Sequence, residues 1–405
     1  MRAFAAASAV AMAASSALAE EDSPLYFQAT VAEQAHPSFH ALYSGTNSLR
    51  SQAESALSVV MDLGARIHPW RGAEIVVQPE LAGGRGLSST LGVAAYPSGE
   101  VYRIGNPEPA LILAKLSLRQ TAGPVTVTLG KLSTPDLFDN DPVANDPHTR
   151  FMSWGLWASA AYDYPADVRG ATWGIALDYT HLWWSARAGM FLEPQVANGA
   201  ALERDFTKAR GLVGELEARS QRGAVRVLAF LNTAHMGSYA KAIARHVDVS
   251  ETRADGRTKG GVAASANYAF GSGRAAFARA SFDDGQNETW AFTEIDRSLA
   301  FGAVQTGGPW GRERDEIGAA VVVSALSAAH RAYLASGGYG FLIGDGALRY
   351  GVEVLAELFY RAALSEHVSL GVNYQPVFNP AFNRDRGPVH IFTARAHVAF
   401  EGPLR

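Results

Sequence analysis

Alternation with a period of two, sustained over segments of roughly 10 to 14 residues, most limits what this 405-residue chain can become. In Glu74–Leu81, Ile75, Val77 and Leu81 fall on one face and Glu74, Gln78 and Glu80 on the other. Ala171–Tyr179 places Trp173, Ile175, Leu177 and Tyr179 opposite Thr172, Gly174, Ala176 and Asp178. Further on, Val352, Val354, Leu358 and Tyr360 oppose Glu353, Glu357 and Arg361, and Val368, Leu370, Val372 and Tyr374 alternate with Ser369, Gly371, Asn373 and Gln375. Successive strand side chains point to opposite faces, so each segment reads as a strand apolar on one side and polar on the other. Soluble strands peak at ~5–6 residues, whereas a tilted membrane-crossing strand needs ~9–11. The polar faces carry Gly, Ala, Asn, Glu, Arg and Asp, which suits a wet lumen. Trp70, Tyr162, Tyr164, Trp183, Trp184, Tyr268, Tyr360 and Tyr374 collect near segment ends, as interfacial girdles do. The pattern predicts an all-β fold, a transmembrane antiparallel β-barrel of about 16 strands.

The segments are 55–68, 72–82, 110–120, 123–132, 150–163, 170–181, 182–193, 208–220, 223–234, 258–270, 273–283, 288–296, 315–325, 348–361, 365–376 and 387–400. From residue 181 onward short turns mostly alternate with long loops, as in barrels of this kind. In the first half the short Ala122-Gly123-Pro124 stands where a long loop is due, so a strand near 88–104 is missing or a pair is misdrawn. The organisation expected is a barrel over 55–400, preceded by a more polar periplasmic or lumenal segment at 20–54 and followed by a short extension, 401–405.

Charged residues make up 18% of the chain, below the ~25% typical of soluble domains. After residue 19 no run of ~18 apolar residues occurs, which excludes a helical membrane protein. Met1-Arg2, the apolar Ala3–Ala17 and the small-x-small Ala17-Leu18-Ala19 predict a cleaved export signal over 1–19. There is no Cys, so the exported chain has neither disulfides nor a lipoprotein anchor. The net charge of −4 carries no nucleic-acid footprint.

Catalytic signatures are absent from the sequence: no Gly-x-Ser-x-Gly, no His-Glu-x-x-His and no phosphate-binding Gly-x-x-x-x-Gly-Lys-[Ser/Thr]. Gly338-Tyr339-Gly340 with Gly344 lacks dinucleotide spacing and reads as a loop. Asp283–Glu288 is oxygen-rich enough for Ca²⁺ but reads first as a solvated hairpin turn. The 11 histidines show no metal spacing. No enzyme activity, metal or organic cofactor is expected.

Several motifs taken together resemble the carbohydrate-selective outer-membrane porins of Gram-negative bacteria. They begin with Tyr43-Ser44-Gly45-Thr46-Asn47-Ser48-Leu49, Gly86-Leu87-Ser88-Ser89-Thr90-Leu91-Gly92 and Arg103-Ile104-Gly105-Asn106-Pro107-Glu108-Pro109. Leu118-Arg119-Gln120-Thr121, Gly130-Lys131-Leu132-Ser133, Asp136-Leu137-Phe138-Asp139-Asn140 and Asn145–Met152 follow. Asp163–Gly170, Met236-Gly237-Ser238-Tyr239 and Asn373-Tyr374-Gln375-Pro376 complete the series. The resemblance runs from about residue 26 to 400. It implies passive sugar diffusion across the outer membrane, with sugars, membrane lipid and the assembly machinery as partners, and by analogy a homotrimer.

Sugars present C–H faces that stack on aromatic rings and hydroxyl rims that need donors and acceptors. The loops that carry the resemblance supply Arg103, Asn106, Glu108, Asp136, Asp139, Asn140 and Arg150 as constriction candidates. Arg119 and Lys131 alternate with apolar neighbours, which points them toward the lumen. On a strand Trp154 and Trp157 would face opposite ways. Trp157, grouped with Ser153, Gly155 and Ser159, is expected inward, and Trp154, grouped with Met152 and Leu156, toward lipid. The last alternation ends at Phe400, which fits the terminal aromatic read during assembly, although five residues follow it. The same composition would serve a general or ion-selective porin. An outer-membrane enzyme would need a nucleophile–base pair, and a soluble lectin would need polar outer faces.

Overall fold

The computed structural model describes residues 25–102 and 108–402. Within them lie sixteen antiparallel strands in one closed barrel: β1 (Leu25–His36), β2 (Glu54–Ile67), β3 (Ala73–Gly84), β4 (Ala110–Ala122), β5 (Val125–Leu132), β6 (Thr172–Thr180), β7 (Trp184–Phe191) and β8 (Arg210–Arg219) come first. β9 (Gly223–Ala234), β10 (Arg257–Gly271), β11 (Arg274–Asp283), β12 (Arg297–Gly307), β13 (Arg312–Ala325), β14 (Glu353–Ala363), β15 (Val368–Phe378) and β16 (Val389–Gly402) complete it. Each strand pairs with its sequence neighbours, and β1 closes the cylinder on β16 with Leu25 opposite Gly402 and Phe27 opposite Phe400. Closure satisfies every backbone ladder internally, the condition for strands in hydrocarbon.

The period-two reading is correct for both faces. Leu57, Leu63, Leu129, Ile175, Val227, Leu299, Leu358 and Val372 are exposed on the outer wall. Asp62, Gln78, Glu215, Arg226, Arg279, Glu357 and Arg395 are buried on the inner wall. Seven short connections (68–72, 123–124, 181–183, 220–222, 272–273, 308–311 and 364–367) mark one end, which the short-turn rule makes periplasmic. At 123–124, Gly123 adopts φ +60, the sign a two-residue hairpin needs at its first central position. The long connections gather at the other end, and several fold back inside.

Two pairs of strand assignments need correction. β1 lies within the 20–54 segment that had been set outside the barrel; its inner Gln28, Thr30, Gln34 and His36 made it resemble a polar lead-in. β12 (Arg297–Gly307) was missed, because small residues on both faces flatten its alternation. In exchange, 150–163 and 288–296 are not strands: both belong to connections packed inside the barrel. Of the stretch near 88–104, the described residues up to 102 hold short helical turns, at 87–90 and 99–102, rather than a strand, and the remainder lies outside the described residues. These changes restore the parity, and the short 123–124 turn now falls on the periplasmic side. The final strand also runs past Phe400 to Gly402.

The apolar core sits within the cylinder. Met152 and Ser153 lead into a short helix, Trp154–Trp157, so both tryptophans face inward. Trp154 is completely buried, stacked on Tyr96 with centroids 5.5 Å apart, and Trp157 meets it edge-on at 5.1 Å. The expectation that Trp154 faces lipid is therefore wrong, because the interior supplies a second apolar environment. Phe151 wedges between Phe277 and Phe359 of the inner wall at 5.7 and 5.0 Å.

Candidate functional site

Buried carboxylates of the wall and loops pin these connections by accepting backbone N–H bonds. Glu353 of β14 takes the N–H groups of Ala94 (2.9 Å), Ala95 (2.7 Å) and Ala381 (2.7 Å). Two pleat repeats further along the same face, Glu357 takes those of Met152 (2.8 Å) and Ser153 (3.0 Å), braced by Asn373 and Gln375. Asp163 accepts from Trp290, Ala291 and Phe292 at 2.7–3.1 Å. Charge-assisted bonds of this kind are about twice as strong as neutral ones, and they fix the loops without occupying the remaining lumen.

What is left is a cavity of about 550 Å³, opening toward the periplasmic turns between the 133–171 connection and strands β1 to β10. Six cations line it (Arg66, Lys115, Arg119, Arg187, Arg219 and Arg226) and four carboxylates (Glu74, Asp136, Asp178 and Glu217). Register brings the two signs together on adjacent strands: Asp178 opposite Arg187, Arg187 opposite Glu215, and Glu217 opposite Arg226. Arg187 reaches Asp178 and, at 2.8 Å, Glu215; Arg226 reaches Glu217 at 2.7 Å and Asn267 at 2.9 Å. Tyr26 contributes an aromatic ring, with Arg66 over one face at 4.8 Å and Gln78 accepting from its hydroxyl at 2.7 Å. The cavity thus offers a dense set of donors with interspersed acceptors and a small positive excess.

The candidates separate sharply. Arg119 projects into the cavity opposite Glu74 in register, exposed to the lumen. Asp136 joins it, held by Lys115 at 2.6 Å, and Asn140 lines the same space while donating to the Asp136 carbonyl at 3.3 Å. Glu108 is exposed just before β4. Arg103 and Asn106 lie outside the described residues. Arg150 bonds the Pro142 carbonyl at 2.5 Å and Glu316 at 2.9 Å, which makes it a clasp between loop and wall.

Three further candidates lie off the cavity path. Lys131 points outward, in register with Leu116 and Trp173 and sharing a face with Leu129; its ammonium bonds the Leu113 carbonyl at 2.9 Å. The sequence misled because Gly130 and Leu132, not Lys131, hold the inward positions. Asp139 is buried, bonded to Ser159 through N–H (2.5 Å) and hydroxyl (2.7 Å) and to Arg279 at 3.0 Å, so it anchors the loop rather than lining a path. Trp157 is nearly enclosed within the plug and is absent from the cavity wall. Nearby, burial pushes the Asp141 carboxyl upward against the opposing pull of Arg279, the Val143 N–H and Arg226.

Sequence reasoning missed Lys115, Arg187, Arg226, Asp178 and Glu217. Their signal was present: each is a charged residue at an inward position of a strand, and cross-strand pairs of opposite sign favour one register. Recognising it required knowing which strands are neighbours. In β4 it also required the irregularity near Ala114, where the register against β3 shifts between Gln78 and Pro79 and returns Lys115 to the inside.

Among solved structures, the high-pH structure of Pseudomonas putida OprB is similar over 93% of this chain and 94% of that one, with TM-score 0.73 and 17% identity. The low-pH structure of the same protein is similar over 93% of each chain, with TM-score 0.51 and 14% identity. At such identities the likeness speaks for the fold. No curated protein sequence matches the chain. The sequence profile of the carbohydrate-selective porin, OprB family, matches residues 46–400, nearly the whole barrel, and the chain belongs to that family.

Proposed function

We propose that this barrel conducts neutral mono- and oligosaccharides passively into the periplasm, and that Arg119, Asp136 and Asn140, with Lys115, line their path. The supporting observation is the charged cavity itself. Most of its cations are paired with carboxylates, so the wall offers hydroxyl partners of both kinds while favouring no simple ion strongly. Conduction requires weak binding, and a millimolar dissociation constant, about −4 kcal/mol, is compatible with flux. Residues 1–19 act as the export signal, the outer-membrane machinery assembles the barrel, and a homotrimer is the working form. The reading needs no metal, nucleotide or catalysis.

Planar-bilayer conductance with and without sugars tests it. Glucose and maltooligosaccharides should reduce the ionic current, and Arg119→Ala should weaken that block while Lys131→Ala leaves it unchanged. Absence of block by any sugar in the parent would leave a general porin. Equal effects of the two substitutions would remove Arg119 from the path.

A further inference from the structure

The outer wall is not evenly convex. Rising from the periplasmic end of β11 and β12 to the loop end of β16, it carries an apolar groove of about 1010 Å³, at the top of the range for small-molecule sites. Register explains the depression. Ala303 and Ala319 stand directly opposite one another, followed across the sheet by Leu358, Tyr374 and Phe392. Two methyl side chains therefore form a floor beside three large walls, and Phe270 closes the other flank.

The groove has a polar lip at one end only. In the next row toward the short turns, Arg274 is in register with Gln305. Gln305 turns its amide nitrogen back to the Ser272 and Thr306 carbonyls at 3.1 and 2.8 Å, which fixes its place. Arg274 is exposed, points outward, and has no side-chain partner among the described residues. A cation at the membrane–water level above an apolar slot matches one ligand shape, an anionic headgroup with a hydrocarbon tail. Basic sites at the membrane interface select anionic lipid in this way. Because the turns 272–273 and 308–311 lie on the periplasmic side, the lipid belongs to the periplasmic leaflet.

We propose that this groove holds an anionic phospholipid, with an acyl chain over Ala303 and Ala319 and its phosphate paired with Arg274. The occupant is a lipid rather than a second copy of the chain because the groove's single charged group is an unpaired cation. The carboxylate beside it, Asp315, is already engaged by Arg312, the Tyr360 hydroxyl and the Ala363 N–H, and so does not answer that charge across a symmetric contact.

Native mass spectrometry of the detergent-extracted full chain tests this, with added phosphatidylglycerol and phosphatidylcholine as probes. The parent should retain phosphatidylglycerol preferentially. Arg274→Ala should weaken its retention about fivefold, the worth of one interfacial cation, and leave phosphatidylcholine unchanged. Ala303→Phe, which fills the floor, should weaken retention of both lipids. Heat-modifiable mobility on gels confirms that each variant is folded. The proposal is overturned if the parent shows no preference for phosphatidylglycerol or if Arg274→Ala retains it equally. It is also overturned if Ala303→Phe converts an oligomer to monomers without changing lipid retention, which would make the groove a contact between copies.

Discussion

Truncating Glu357 to alanine should open the pore without unfolding the barrel. In the folded chain its two oxygens receive four donors: the Met152 N–H at 2.8 Å, the Ser153 N–H at 3.0 Å, Asn373 at 2.6 Å and Gln375 at 3.0 Å. The two side-chain amides can turn to other partners, and Gln375 already donates to the Pro97 carbonyl at 2.8 Å. The two backbone groups cannot. Each buried donor left unpaired costs ~1–3 kcal/mol, so the pair costs ~2–6 kcal/mol. Removing a buried carboxylate returns part of its own desolvation cost, leaving ~2–4 kcal/mol against docking of the 133–171 connection. Even the lower figure raises the undocked population about thirtyfold. The sixteen-strand ladder is untouched, so heat-modifiable mobility should persist. Single-channel recordings should show larger and noisier conductance, and a protease should cut the folded barrel within 133–171. Glu357→Gln, which keeps one acceptor but turns an NH₂ toward a donor, should fall between. Parent-like conductance and protease resistance in Glu357→Ala would refute the idea that wall carboxylates hold the plug.

On the outer wall, Val372→Arg should cost ~2–4 kcal/mol if near the midplane, whereas Ser117→Arg, which points into the cavity, should cost far less; folding into liposomes across denaturant compares them. Asn373→Arg, although also inward, should be costly too, since Asn373 is buried against Glu357. Phe400→Ala removes contacts with Phe27 and His367, with centroids at 6.5 and 4.5 Å, and should reduce the heat-modifiable band in outer membranes; a stop after Phe400 removes, among the described residues, the Leu25–Gly402 and Tyr26–Glu401 pairs alone and should assemble. Burial opposes ionisation of Asp296, but His330 at 3.1 Å, the Lys259 ammonium and the Ser327 N–H outweigh it and hold its carboxyl below the ordinary range. A depressed pKa stabilises above the ordinary aspartate value near ~4 and is lost as pH falls through the depressed one. Digestion of the 326–352 connection should therefore stay flat from pH 8 to pH 5 and rise below about pH 4. A rise already between pH 8 and pH 5 would refute Asp296 as the clamp.

The membrane wall was legible in the sequence because lipid and lumen impose opposite demands on alternate residues, as Leu358 beside Glu357 and Val372 beside Asn373 illustrate. The plug was not. Phe151, Trp154 and Trp290 lie in apolar stretches that look like strands, yet they are buried inside the cylinder against Phe277, Tyr96 and Pro194. A local pattern cannot distinguish hydrocarbon from a protein interior. β12 escaped for the converse reason, since Ala300, Gly302 and Ala303 give its two faces little contrast. For the site, alternation placed Arg119 correctly but put Lys131 on the wrong side, and only strand pairing revealed Asp178, Arg187, Glu217 and Arg226 as neighbours.

The seam between the first and last strands sets a condition on how the chain comes into being. Leu25 meets Gly402 and Ala35 meets Phe392, so the ladder that removes the final free edges joins the two ends of the polypeptide. Until the last strand is available, β1 and whichever strand was laid down most recently both present unpaired backbone, a template for aggregation. Contacts this distant in sequence are the slowest to form. Unlike a soluble domain, which can settle as it emerges, this chain keeps open edges until that last pairing forms. Its journey ends in a single zippering event, and a truncation that spares every residue of the pore but loses β16 would yield an open sheet instead of a channel.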